Sequence, residues 1–245
     1  MQLPFDFPVT PRFSLANFVV CSGNETAYRF ALRLLEPTSG ENLLYLHGPE
    51  GSGKTHLLMA LADALGERTG KTVPCLTFGT PDSATLPARC VGTGNPGDEV
   101  FREAPALLVD DLHLIPADHD LRIALWQLFN DYYQTGRPMV ITGRYPPKEL
   151  PNLDDHLTSR LLWGLVAHID VSDDSSRRMI MQKLALDRQM VFPDEVVDYL
   201  LRHARRDIPS LIDTLDRIVH HALATGRKVS LRLASEVMAP NGAVI

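Results

Sequence analysis

The sequence predicts an α/β domain built on a parallel sheet, followed by a small all-helical domain. Three observations lead there. Short apolar runs alternate with stretches of helical periodicity up to residue 142. A glycine-rich loop joins the first apolar run to a helix. From residue 172 onward only helical periodicity remains. Strands alternating with helices imply parallel pairing with helices on both faces.

Taken in order, residues 1–12 open the chain as an extended tail. Met-Gln-Leu-Pro-Phe-Asp-Phe-Pro holds two of its prolines, which bar a helix. Ala27, Phe30, Ala31, Leu34 and Leu35 fall at helical spacing within 24–36. Leu43-Leu44-Tyr45-Leu46 reads as a buried strand, 48–53 as a loop and Thr55 to Leu65 as a helix. A second strand is expected near Val73–Phe78. Residues 79–98 are rich in Gly and Pro and read as loop. Ala106–Val109 and Pro138–Thr142 are two further strands, with a helix over Leu121–Tyr133 between them.

In the second domain, Ser172-Asp173-Asp174 caps a helix whose inner face carries Ile180 and Leu184. A second helix carries Val196, Val197, Leu200, Leu201 and Ala204. A third runs from Ile208 through Leu211, Ile212, Leu215, Ile218, Val219 and Ala222 and ends at Gly226. A last short helix spans Leu233–Met238. The expected division is a tail over 1–12, an α/β nucleotide-binding domain over 13–171 and a helical lid over 172–245.

Gly48-Pro49-Glu50-Gly51-Ser52-Gly53-Lys54-Thr55 matches the phosphate-loop pattern G-x-x-x-x-G-K-[ST], with a strand before it and a helix after it. Glycines let backbone N–H groups turn toward phosphate oxygens, and the helix N-terminus adds a favourable dipole. Gly48, Pro49, Gly51, Ser52 and Gly53 form the cradle. Lys54 is placed for the β- and γ-phosphates and the Thr55 hydroxyl for Mg²⁺. The strand Leu107-Leu108-Val109 ends in Asp110 and Asp111. A carboxylate there lies at the sheet edge that also bears the phosphate loop. Asp110 would hold Mg²⁺ through its water, and Asp111 would orient or deprotonate the attacking water. Thr142 ends another strand, where a hydroxyl either contacts the γ-phosphate or lytic water or merely caps.

Composition excludes several classes. The chain has 245 residues, 44% hydrophobic and 22% charged, an ordinary globular balance. No apolar run reaches the length of a membrane span. No basic patch followed by an apolar stretch opens the chain. Its three cysteines, Cys21, Cys75 and Cys90, are widely spaced, which fits reduced thiols in the cytoplasm. The net charge of −6 argues against DNA as the main partner. The nine histidines show no metal-ligand spacing.

The Gly53-Lys54-Thr55-His56 turn, the Asp110-Asp111 pair and Leu157-Thr158-Ser159-Arg160-Leu161-Leu162-Trp163-Gly164-Leu165 together resemble the AAA+ ATPase of the bacterial replication initiator DnaA. Asn17-Phe18-Val19-Val20 with Asn24 and Ala27 is similar to that family's opening segment, which packs on adenine. Tyr145-Pro146-Pro147-Lys148-Glu149-Leu150 is similar to its stretch after the third strand. The resemblance covers residues 13–240. It implies an AAA+ fold with ADP or ATP and Mg²⁺ as cofactors, and nucleotide contacts from Val19, Val20, Asn24 and His56. It also implies an arginine finger at Arg160 acting in trans on a neighbour's nucleotide. The alternative for Arg160 is a surface arginine paired with Asp154 or Asp155.

The initiator's N-terminal interaction domain and C-terminal DNA-binding domain have no counterpart here. Its single-strand-binding helices fall on 79–100, where Arg89 is the only basic residue. The chain therefore resembles the Hda-like regulators that inactivate the initiator. That resemblance implies DnaA and the polymerase sliding clamp as partners and no sequence-specific DNA binding, while self-association stays open. Gln2-Leu3-Pro4-Phe5-Asp6-Phe7 resembles a clamp-binding peptide, with Gln2, Leu3, Phe5 and Phe7 as anchors. The alternative is a tail folded onto its own domain. Two departures point to weak intrinsic ATPase activity. Pro209 stands where the family's lid has a sensor arginine, and the family's Ser-Asp-Arg reads Gly143-Arg144-Tyr145. A helicase loader and a non-catalytic adaptor remain the rival functions.

Overall fold

The computed structural model describes residues 13–36, 40–78, 96 and 98–239. These fall into two compact units, divided after Asp170, with Cys21–Gly23 grouped with the second.

The first unit holds five parallel strands: β1 (Leu43–His47), β2 (Cys75–Thr77), β3 (Leu107–Asp110), β4 (Met139–Gly143) and β5 (Leu165–His168). Their order is β2-β3-β4-β1-β5. The three central strands are apolar and buried on both faces, as a sheet covered by helices on both sides requires. The helices are α1 (Glu25–Leu35), α2 (Lys54–Thr69), α3 (Glu99–Glu103), α4 (His119–Gln134) and α5 (Asp155–Leu161). Leu43, Tyr45, Val109 and Ile141 pack with Leu125, Leu128, Phe129 and Leu161 in one core layer. Asp118 caps α4 by accepting the Leu121 N–H at 2.9 Å.

β5, α3 and α5 lie outside the elements read from the sequence. Each is short, and β5 fully buries only Ala167 of its four residues, so it carries no apolar run. The expected loop over 79–98 falls almost wholly outside the described residues, as do residues 1–12.

The second unit contains α6 (Asp174–Asp187), α7 (Asp194–His203), α8 (Ile208–Thr225) and α9 (Leu231–Met238). Asp173 caps α6, accepting the Ser176 N–H at 2.8 Å. The inner face of α6 differs from the expectation. Ser176, Arg177, Met181 and Ala185 are its buried residues, whereas Ile180 and Leu184 sit half-buried beside them. The helix is rotated by one position because α7 and α8 already supply Val196, Val197, Leu200, Leu211 and Leu215. Pro209 lies in the first turn of α8, behind the Asp207 cap. Proline is tolerated there because the first N–H groups of a helix have no intrahelical acceptor. Gly226 ends that helix. No described helix is long and apolar enough to cross a membrane.

Candidate functional site

The site stands at the carboxyl edge of the sheet. β1 delivers the chain into the phosphate loop at Gly48, which is buried. A Cβ there would overlap the Ile169 carbonyl oxygen just past β5, so only glycine lets the loop leave the sheet at this point. Gly53 has φ +100° and precedes α2 with no side-chain cap. The first N–H groups of α2 therefore remain available to an anion.

Lys54 is 7% exposed. Its ammonium donates to the Gly48 and Pro49 carbonyls at 2.9 and 2.7 Å and to Ser52 Oγ at 3.4 Å. Burial pushes its pKa down, opposed by the charges of Asp111, Asp110 and Glu50. A buried cation gripped by loop oxygens is a centre that multivalent phosphate stabilises further.

Thr55 Oγ1 donates to Asp110 Oδ2 at 2.9 Å, and Thr142 Oγ1 donates to Asp110 Oδ1 at 2.5 Å. The same Thr142 oxygen accepts the Asp111 N–H at 3.0 Å. Thr142 is 0% exposed and its single hydroxyl proton goes to Asp110. Its geometry is that of a residue holding the acidic pair, not one reaching a phosphate. Asp111 sits at φ 55°, a left-handed conformation costly for a non-glycine residue. Burial first, then the Asp110 charge, raises its pKa, while His113 and Lys54 lower it. His113 Nδ1 lies 3.8 Å from Asp111 Oδ1. Thr55 and Asp110 supply hard oxygen donors on adjoining elements, a donor set that suits Mg²⁺. The residues present thus fit a Mg²⁺-nucleotide: the loop and Lys54 for phosphates, Thr55 and Asp110 for the metal and its water. Bound Mg²⁺ would supply charge neutralisation at the phosphates.

Beside the loop, Asn24 is buried at the start of α1 and donates to the Val19 carbonyl at 2.9 Å. It pins the half-buried Val19–Val20 segment. His56 is placed between Phe13 and Phe18, with ring centroids 5.1 and 5.3 Å away. Phe18 also stacks on Tyr28 at 5.7 Å and lies against Gly53. Sequence reasoning had not singled out Tyr28 or Phe13 as part of this wall. Only their sequence proximity to the motif pointed there.

Tyr45, fully buried on β1, donates its hydroxyl to the Tyr145 carbonyl at 2.7 Å. A Cβ on Gly143 would overlap that hydroxyl. This is the physical reason for glycine at the end of β4. Tyr145 in turn sets its ring edge-on to His113 at 6.1 Å.

Arg160 does not pair with Asp154 or Asp155. Asp154 pairs with Arg122 at 3.7 Å. The Arg160 guanidinium lies 5.0 Å from the Trp126 ring centre and 5.6 Å from that of Trp163. Its Nη1 has no hydrogen-bond partner among the described residues. The two indoles, 39% and 55% exposed, are the only tryptophans of the chain.

Residues 9–168 match the family model of the bacterial DnaA ATPase domain. The chain belongs to that family. Residues 174–238 match the Hda lid domain. Among curated relatives, the chromosomal replication initiator DnaA of Thermoanaerobacter sp. (strain X514) is 28% identical over 232 residues. That match takes in 94% of this chain and 52% of the relative, so the chain spans about half the length of such relatives. The crystal structure of domain III of DnaA from Thermotoga maritima superposes with a TM-score of 0.78 at 23% identity, covering 95% of this chain and 98% of that one. AMPPCP-bound DnaA from Aquifex aeolicus superposes with a TM-score of 0.67 at 21% identity, over 94% and 81%. The RuvB branch migration motor of T. maritima has a TM-score of 0.66 at 16% identity, over 94% and 72%. The five-stranded parallel sheet flanked by helices and the all-helical C-terminal region form an AAA+ fold, as the sequence predicts.

Proposed function

We propose that this chain is an adenine-nucleotide-binding regulator of chromosome replication initiation that presents Arg160 to ATP held by the initiator DnaA. In this reading residues 13–171 bind ADP or ATP with Mg²⁺ and residues 172–245 form the lid. The observation that carries the trans role is the setting of Arg160. Among the described residues it has no carboxylate partner and an unbonded Nη1, and its guanidinium lies over two indole rings. A guanidinium is always charged and offers a rigid fork of donors, which suits a phosphoryl group gaining charge in the transition state.

Within the chain's own site, Lys54 and the loop bind phosphate and Asp110 orients the metal's water. Asp111 stands where an attacking water would be held, and Thr142 fixes both acids. Intrinsic turnover is weak in this reading because Pro209 offers no side-chain donor to a γ-phosphate. Gln2, Leu3, Phe5 and Phe7 anchor the chain on the sliding clamp. They lie outside the described residues, and the support is their pattern alone.

The deciding experiment measures initiator ATP hydrolysis with clamp-loaded DNA and either wild-type chain or Arg160→Ala. Wild type should stimulate hydrolysis, and Arg160→Ala should lose about 10³-fold or more of that stimulation, the range of trans arginine fingers. Equal stimulation by both proteins would remove the finger and favour a tethering adaptor.

A further inference from the structure

His113 has no role in the function proposed for the site. Asp111 follows β3 in a left-handed conformation, with φ 55°, and the chain folds back there into a single helical turn, Leu112–Leu114. The Leu114 N–H donates to the Asp111 carbonyl at 2.9 Å, and Leu112 and Ile115 are buried. These anchors return the His113 ring toward the acid before the turn, so that its Nδ1 lies 3.8 Å from Asp111 Oδ1. The imidazole is 15% exposed, and its Nδ1 is buried with no hydrogen-bond partner among the described residues. Tyr145, whose carbonyl is pinned by the Tyr45 hydroxyl, sets its ring edge-on to the imidazole at 6.1 Å. The two acids differ in how they are held. Both oxygens of Asp110 accept hydrogen bonds, from Thr55 and Thr142. Thr142 fixes the Asp111 N–H at 3.0 Å, yet the Asp111 carboxylate accepts no hydrogen bond among the described residues.

We infer that His113 is a positioning residue for hydrolysis in the chain's own site: its Nδ1–H takes one oxygen of the Asp111 carboxylate and leaves the other for the attacking water. The inference rests on the proposed reading of the site, in which Asp111 holds that water. A carboxylate that no donor holds turns through several orientations, and only some of them aim an oxygen at a water. A buried Nδ1–H without an acceptor is itself costly, and Asp111 is the acid that faces it. The 3.8 Å gap exceeds hydrogen-bond length, a small turn of the Asp111 side chain closes it, and contacts of this kind tighten when substrate binds. Burial holds the pKa of His113 below its ordinary 6.5; the Asp111 charge opposes this, the Lys54 and Arg144 charges add to it, and Asp110 opposes it. The ring is therefore neutral at neutral pH and carries one N–H. A carboxylate at Nδ1 selects the tautomer with that hydrogen on Nδ1. His113 thus acts through Asp111.

The test uses the full chain and two measurements. Imidazole nitrogen NMR at neutral pH should show His113 uncharged with its hydrogen on Nδ1, and in Asp111→Ala the ring should revert to the Nε2–H form that free histidine prefers. A bare Nδ1 in wild type, a charged ring, or the same tautomer in Asp111→Ala overturns the inference whatever the turnover. The second measurement is hydrolysis of Mg²⁺-ATP, followed with radiolabelled nucleotide so that slow turnover is measurable. His113→Leu should lower kcat about tenfold while KM moves less than about twofold, as expected when one hydrogen bond to a charged group is lost and the phosphate contacts stay. His113→Asn places an amide N–H near the Nδ1 position and should recover most of the rate. An unchanged kcat in His113→Leu overturns the inference, and so does His113→Asn as slow as His113→Leu, which would make the ring a packing residue. Should His113→Leu fail to fold, His113→Asn and the wild-type spectrum still decide. Lys54→Ala hydrolysing ATP as fast as wild type would remove the reading of the site itself, a separate result.

Discussion

Gly143→Ala should be costly in the native sequence and nearly harmless beside Tyr45→Phe. The Gly143 backbone lies outside the left-handed region, so alanine meets no conformational strain, and a stiffer unfolded chain favours it by about 0.5 kcal/mol. The cost is steric and polar. Its Cβ overlaps the Tyr45 hydroxyl oxygen, with Tyr45 Cζ at 3.2 Å and Leu150 Cδ2 at 3.5 Å. Tyr45 is fully buried between neighbouring strands and has no room to swing aside. Overpacking costs about 1–3 kcal/mol. Displacing the hydroxyl from the Tyr145 carbonyl adds about 1 kcal/mol. The net expectation is about 1.5–3.5 kcal/mol of lost stability. With phenylalanine at 45 the overlapping oxygen is gone, and the remaining approach at 3.2 Å needs a shift of a few tenths of an ångström. A double-mutant cycle by urea denaturation should therefore show a coupling energy above about 1 kcal/mol. Additivity within about 0.5 kcal/mol would refute the idea that Tyr45 is what keeps this strand end a glycine.

Thr142→Val keeps the shape of a buried residue but strands the Asp111 N–H and one Asp110 oxygen. It should cost about 1.5–3 kcal/mol by denaturation and weaken Mg²⁺-dependent nucleotide binding; a loss of stability with unchanged Mg²⁺ dependence would show that Thr142 does not hold the metal pair. Both tryptophans flank Arg160, so tryptophan emission reports on that patch alone. Arg160→Ala should change its intensity and wavelength without altering the circular dichroism, and an identical spectrum would contradict the indole contacts. Burial first, then the His168 and Lys54 charges, holds the pKa of His47 below its ordinary 6.5. The unfolded chain therefore binds the proton first as pH drops below 6.5, and this contribution to stability is lost on acidification. His47→Gln should flatten the fall of melting temperature below pH 6.5, whereas parallel curves for the two proteins would exclude His47 as a source of that fall.

Long elements with a repeated apolar face were legible because their signal is local. In α8, Ile208, Leu211, Leu215, Ile218, Val219 and Ala222 recur at helical spacing and are buried together with Thr214, while Ile212, expected on the same face, is half-buried at its margin. The central strands are continuous apolar runs for the same reason. β5 was not legible, because a four-residue edge strand with one fully buried side chain carries no period. The rotation of α6 was not legible either. Its sequence offers two adjacent faces, and the choice between them depends on the volumes that α7 and α8 bring, a tertiary fact.

The candidate site divides along the same line. The cradle, Lys54, Thr55 and the acidic pair are written as a contiguous motif and a strand end, so spacing alone exposes them. What Thr142 does is not written that way, since its proton could go to a phosphate or to Asp110 until the register of β3 and β4 sets the two side by side. The surroundings of Arg160 depend on Trp126, which lies on α4, and so bring together residues far apart in sequence. The Tyr45–Gly143 pair spans β1 and β4 and shows why the departure at the strand end is not a simple loss. Once a buried tyrosine occupies the space, glycine is the residue that fits, and the tyrosine anchors the backbone at Tyr145. That anchor fixes the base of Arg144 on the sheet.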